Sequence, residues 1–321
     1  MIDRRTLLGA AAASAAAPVT AASAAASQAV APQRTTWHDA ARKRDVPVLI
    51  RRPAGSGPAP LVLLSHGLGG SREGLAYLGE ALAAAGYVAV HLQHKGSDAA
   101  IWQGAGDVRS SMGAAVTDIG AALARLQDVV FALDTVLADG EPLLLGRIDP
   151  GRIAIAGHSY GAWTVSHMLG ERLPLGGFGL NLPDPRLRAG IALSPIPPLP
   201  IPVIGVPAAV AYRGITAPIL HVTGTRDSGM GVPDWQARTV GYRTATSPGL
   251  LAVLDGAVHA SFAGEAEVGG YWNDPTYQAR TGRLACWFLD AVLRGDAGAR
   301  TALLHGEGLA PRDSIESKGM A

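Results

Sequence analysis

The stretch that most constrains this chain is Ile153-Ala154-Ile155-Ala156-Gly157-His158-Ser159-Tyr160-Gly161-Ala162-Trp163, an apolar run that stops at two glycines bracketing a serine. A short, continuous apolar run reads as a buried strand, so the stretch predicts a strand, a sharp turn and a helix. Gly157-His158-Ser159-Tyr160-Gly161 matches G-x-S-x-G, an elbow in which a serine hydroxyl stands on a strained turn above a sheet. The glycines have a steric task, because side chains there collide with the neighbouring strand and helix. In a chain with 41 glycines the pattern alone is weak, and the flanking sequence has to support it.

That flanking sequence alternates strands and helices. A β-rich hairpin is expected from Trp37 to Pro53, then a buried strand at Leu61–Ser65 running into His66-Gly67-Leu68-Gly69-Gly70. A helix over 73–85 and a strand at Tyr87–His91 follow, an order that implies a right-handed crossover in a parallel sheet. Met112–Ala138 reads as one long packing helix with a kinked or loose start. Further strands are expected at Arg188–Ser194, Pro218–Thr223 and Gly249–Leu254, with a closing helix at Arg283–Arg294 and a polar, loosely held tail after Asp296. Apolar, proline-rich insertions near 171–188 and 195–215 are placed to wall a pocket, or to serve as structural arms. Residues 32–321 thus read as a single α/β domain.

Composition sets bounds on partners. The chain is 48% hydrophobic and 17% charged, with a formal net charge of +1, so it has material for a large core and no nucleic-acid footprint. Cys286 is the single cysteine, which excludes an intramolecular disulfide. Residues 1–31, with Arg4-Arg5-Thr6-Leu7-Leu8 leading into an alanine-rich stretch broken at Pro18, resemble a twin-arginine export signal. The apolar run before Pro18 is short for a membrane span. The expectation is recognition by twin-arginine export machinery, a periplasmic or secreted location, and no integral span in the mature chain.

A serine hydroxyl is a poor nucleophile at neutral pH and needs a base oriented by a carboxylate. On an elbow the partners follow in the order serine, acid, histidine, each after a strand. Of the histidines beyond Ser159, His167 lies in the helix after the elbow, His221 within a strand and His305 in the tail. His259 alone follows a strand and a loop, and is assigned as general base. Asp227 ends a strand in Gly224-Thr225-Arg226-Asp227 and is the expected acid, ahead of Asp255 and Asp184. The tetrahedral intermediate needs two backbone donors; the N–H groups of Tyr160 and Leu68 are the candidates. His66 is read as a strut for the glycine-rich loop. His91, His94 and Asp98 lack the further ligands of a metal site, so neither metal nor cofactor is expected. Trp102 and Trp163 are candidate apolar walls of a substrate pocket.

Taken together, Ser65–Arg72, His91–Asp98 and the elbow resemble the α/β-hydrolase superfamily. Within it they resemble the branch that includes platelet-activating-factor acetylhydrolases and dienelactone-hydrolase-like esterases. The resemblance implies a mainly parallel, about eight-stranded sheet flanked by helices, and cofactor-independent hydrolysis of carboxylic esters. Dienelactone hydrolases proper use a cysteine nucleophile where this chain has Ser159. The functional expectation is an exported serine esterase acting on small-molecule or lipid-like acyl esters. The alternatives are an acyltransferase using the same residues, and a non-catalytic binding protein on the same fold.

Overall fold

Strand β3, Ala59–Ser65, is buried along its whole length, and its side chains feed two cores on opposite faces. Leu61 and Leu63 enter one core and Val62 and Leu64 the other, as the two-residue period of a strand requires. A run with no polar interruption is what a strand covered on both faces needs. The computed structural model describes residues 30–103, 107–175, 178–198, 207–229, 231–264 and 274–320. Apart from Val30 and Ala31, the expected export signal lies outside these residues, as do 199–206 of the second proline-rich insertion.

Around β3 are assembled β1 (Gln33–Asp39), β2 (Arg44–Arg51), β4 (Val88–Leu92), β5 (Ile148–His158), β8 (Leu187–Leu193), β9 (Ile219–Arg226), β10 (Gly249–Val258) and β11 (Ser314–Lys318). Their spatial order is β1-β2-β4-β3-β5-β8-β9-β10-β11. From β4 to β10 every neighbouring pair is parallel; β1–β2, β2–β4 and β10–β11 are antiparallel. A separate antiparallel pair, β6 (Arg172–Leu175) and β7 (Phe178–Asn181), makes up part of the first insertion.

Helices cover both faces. On one side α3 (Ile119–Leu137) and α4 (Tyr160–Met168) pack through Leu126, Val129, Leu133, Val136, Val165 and Met168 onto Leu61, Leu63, Ile153 and Ile155. On the other, α1 (Ala76–Ala84), α8 (Pro275–Leu289) and α9 (Ala297–Leu304) place Leu78, Leu82, Leu284, Phe288 and Leu303 against Val62, Leu64, Ile191 and Val222. Shorter helices α5 (Ala208–Ala211), α6 (Trp235–Arg238) and α7 (Val240–Thr244) lie between β8 and β10 in the chain.

Two expectations change. The long helix expected over 112–138 is two helices, α2 (Val108–Thr117) and α3, broken at Asp118. Asp118 takes extended backbone angles and its carboxylate accepts the N–H of Ala121 at 2.9 Å, a local cap that competes with helix continuation. The tail is not loosely held: it forms α9 and then β11, which pairs with β10. Its polarity misleads because an edge strand needs few apolar residues when its anchors are elsewhere. Those anchors are buried Leu303 and Met320 and the buried carboxylate of Asp313, which receives Arg280 and the N–H groups of Asp255 and Ala310.

Candidate active site

The elbow at the end of β5 is built by close packing. Ser159 has φ 54° and ψ −112°, a left-side backbone conformation that a side chain rarely adopts and that costs about 1–3 kcal/mol. Its N–H donates to the Leu193 carbonyl at 2.9 Å and its carbonyl accepts the Trp163 N–H at 3.1 Å, which hold the turn. A Cβ on Gly157 would lie 2.3 Å from the Gly161 backbone, and one on Gly161 only 1.9 Å from the Ser65 carbonyl oxygen. Both glycines are therefore demanded by contact rather than by flexibility.

Three side chains meet above this turn. His259, just past β10, has Nε2 2.9 Å from Ser159 Oγ and Nδ1 3.0 Å from Asp227 Oδ1. An ionised carboxylate only accepts, so Nδ1 carries the proton and Nε2 is left to accept from the serine hydroxyl. Asp227, just past β9, is fully buried. Burial opposes its ionisation, yet the His259 bond and the charge of Arg238 hold its carboxyl below the ordinary value. Thr223 Oγ1 donates to its other oxygen at 2.9 Å. Of the rival acids, Asp255 accepts from Thr225 and Asp184 from Arg186. His221 is buried in β9, and His167 Nδ1 donates to the Trp163 carbonyl.

The loop after β3 lies beside the serine: the Cα of Gly67 faces His158 and Ser159 closely enough that a Cβ would sit 3.6 Å from the serine Cβ. Leu68 is within this loop, and Tyr160 is the first residue of α4, where an N–H has no intrahelical carbonyl to meet. His66 Nε2 accepts the His94 N–H at 3.0 Å, so its Nδ1 carries the proton and donates to the Gly67 carbonyl at 2.6 Å. Burial and the charge of Arg125 push the His66 imidazole well below its ordinary value, in keeping with a neutral ring. Trp102, half-buried, donates from Nε1 to the Gly69 carbonyl at 2.8 Å and so leans on the same loop. Trp163, also half-buried, sits between the rings of Tyr160 and His167 at 5.1 and 4.0 Å and packs on the core.

Beneath the loop, His91 and His94 are buried. His91 Nδ1 donates to the Gly74 carbonyl, and His94 lies between Ser65 Oγ at 3.0 Å and Asp128 Oδ2 at 3.1 Å. Among the described residues no group of three or more His, Cys, Asp or Glu could hold a metal.

Several residues around the site escape a reading of the sequence. His158 Nε2 donates to the backbone carbonyl of His259 at 2.9 Å. Arg238 and Arg125, both fully buried, approach from either side: Arg238 Nε lies 2.6 Å from Asp227 Oδ1, and Arg125 bonds the segment that carries the glycine-rich loop. Arg125 is met mainly by hydroxyls of Ser65, Ser97 and Thr164 and Arg238 mainly by backbone carbonyls, so no local pattern announces either.

The arrangement can pass a proton from the Ser159 hydroxyl to His259. The model of the family described as platelet-activating factor acetylhydrolase, isoform II, matches residues 49–111. That stretch holds β3, the glycine-rich loop and β4, and ends before the elbow. No curated protein matches the chain. Among solved structures, a ferulic acid esterase from Streptomyces cinnamoneus is similar with a TM-score of 0.58 and 19% identity, over 83% of this chain and 89% of that one. At such identity the likeness is one of fold. The chain is thus an α/β-hydrolase in fold, similar over its glycine-rich-loop segment to platelet-activating factor acetylhydrolase of isoform II.

Proposed function

We propose that the protein is a serine esterase that cleaves carboxylic esters with short-chain or lipid-like acyl groups, exported through a twin-arginine signal to the periplasm or beyond. The observation that carries the reading is the unbroken hydrogen-bonded line Ser159 Oγ to His259 Nε2 and His259 Nδ1 to Asp227. In this reading Ser159 Oγ attacks the ester carbonyl while His259 takes its proton, and the N–H groups of Leu68 and Tyr160 receive the oxyanion. His259 then gives the proton to the departing alkoxide, leaving an acyl-Ser159. Water repeats the sequence and frees the acid. Asp227 keeps the imidazole in the required tautomer and stabilises its cation. The resemblance to the acetylhydrolase family and the fold shared with an esterase support ester hydrolysis as the class of reaction.

Labelling the purified protein with a fluorophosphonate, and assaying short p-nitrophenyl esters with and without an added alcohol, tests the reading. Labelling that vanishes in Ser159→Ala, with kcat down at least about 10⁴-fold, is expected. A labelled protein whose ester turnover goes mainly to the alcohol would identify a transferase. Absence of Ser159-dependent labelling ends both readings.

A further inference from the structure

We propose that Arg125, on α3, is the positioning residue of the oxyanion hole, fixing the Leu68 loop and the start of α4 relative to each other. The inference rests on the esterase reading above. Arg125 is fully buried and, among the described residues, makes no direct ion pair. A buried cation without a carboxylate against it is costly unless hydrogen bonds take the place of water. Here each of the three guanidinium nitrogens donates to a neutral oxygen, and those oxygens come from separate segments. Nε donates to Thr164 Oγ1 at 2.8 Å, one terminal nitrogen to Ser97 Oγ at 2.8 Å, and the other to Ser65 Oγ at 3.0 Å and to the His66 carbonyl. The guanidinium also lies 4.7 Å from the centroid of the Tyr160 ring.

These contacts converge on the two candidate oxyanion donors. The His66 carbonyl lies two residues before Leu68. Gly69, the residue after Leu68, donates its N–H to the Ser97 carbonyl at 2.9 Å, and Ser97 is itself held by Arg125. The loop is thus braced on both sides of Leu68 by groups that one guanidinium binds. On the helix side, Thr164 Oγ1 accepts from Arg125 and donates to the Tyr160 carbonyl at 3.1 Å. The planar fork of arginine is what allows one side chain to reach both segments; a lysine ammonium has one point of attachment. Burial brings the guanidinium down to about 10, which leaves it charged at neutral pH. Neutral partners and four hydrogen bonds spread over all three nitrogens fit a brace that fixes backbone geometry, where a displacement of about 1 Å costs about 10²-fold in rate.

Endpoint titration with a fluorophosphonate counts competent serines, so that kcat per titrated Ser159 is separated from the folded fraction. Arg125→Lys, Arg125→Met, Thr164→Val and Ser97→Ala are compared with the parent for kcat, KM and inhibition by an alkyl boronic acid, whose serine adduct is tetrahedral. The arginine variants are expected to lose about 10²-fold in kcat per titrated serine with KM within about threefold, and to lose boronate affinity in step. Thr164→Val, which keeps Arg125 and its bonds to the loop, should lose about tenfold in the same direction. A merely structural arginine would lower the titrated fraction and the melting temperature and leave kcat per serine unchanged; variants within about twofold of the parent overturn the proposal. Where the arginine variants fail to fold, Thr164→Val and Ser97→Ala decide by the same criterion. A parent protein that is not labelled at Ser159 sinks the esterase reading itself, whereas a parent that turns over beside unimpaired variants sinks only the role of Arg125.

Discussion

Arg238 Nε lies 2.6 Å from Oδ1 of Asp227, the same oxygen that receives His259 Nδ1 at 3.0 Å. A cation and an imidazole therefore share one carboxylate oxygen in a buried site. Arg238 also donates to the carbonyls of Asp227, Ser194, Pro195 and Gly229, so it is locked in place. Its charge helps to keep Asp227 ionised against burial. In Arg238→Met the carboxyl loses that support and protonation of the site becomes easier. The acid limb of the kcat/KM profile should move to higher pH by about one unit, the scale of a charge interaction in a partly screened interior. A pH–rate series on p-nitrophenyl acetate checks this, and an unmoved limb refutes the electrostatic role.

His158 occupies the variable position before the serine, yet its Nε2 donates to the main-chain carbonyl of His259 at 2.9 Å and its ring lies 4.8 Å from the His259 ring. Burial and the neighbouring His259 push His158 down to about 3, so it stays neutral over the working range. It tethers the loop that carries His259 and, being neutral, is expected to transfer no proton. His158→Phe should lower kcat about tenfold, with KM and both pH limbs unchanged. A shifted limb in steady-state kinetics would instead make His158 a titrating participant.

What can be read from the residues, and what cannot, follows from the range of the forces involved. The elbow is legible because Gly157 and Gly161 answer to contacts within a few residues of chain or one strand away. The order serine, acid, histidine selects three side chains that the sheet brings within hydrogen-bonding distance, because parallel strands deliver their loops to one edge. Arg125 and Arg238 cannot be recognised as buried, since an arginine on a helix reads as solvated until the hydroxyls and carbonyls it serves are in place. The break at Asp118 is present in the sequence as a capping residue but lies inside a run whose apolar spacing favours one helix.

The C-terminal strand illustrates the same limit and carries a prediction. β11 covers the edge of β10, and Lys318 Nζ donates to the carbonyls of Tyr242 and Ala245. Ending the chain after Gly295 removes α9 and β11 and exposes β10, whose Leu251 and Val253 are otherwise buried. An uncovered, apolar edge strand pairs with other copies. Light scattering at rising temperature should show early aggregation of the truncated protein. Glu316→Ala, which removes only an exposed pair with Arg243, should shift stability by at most about 1 kcal/mol.

Glu171 and His167 lie 3.6 Å apart and both are buried, but they do not form an ion pair. His167 already gives its Nδ1 proton to the Trp163 carbonyl, and burial lowers its imidazole to about 4, so the ring is neutral. Burial raises the Glu171 carboxyl well above its ordinary value, only partly opposed by a bond from Ser166. The folded chain therefore holds a proton that the unfolded chain releases above about 4.5. The associated stability is complete below that pH and is lost progressively as pH rises toward the folded value. A glutamine at this position cannot titrate, so Glu171→Gln should match the parent near pH 4.5 and melt higher than it at about pH 8. Melting curves at the two pH values decide the matter: an equal shift at both, or a lower melting temperature for the variant at the higher pH, would mean that Glu171 is ionised in the folded protein.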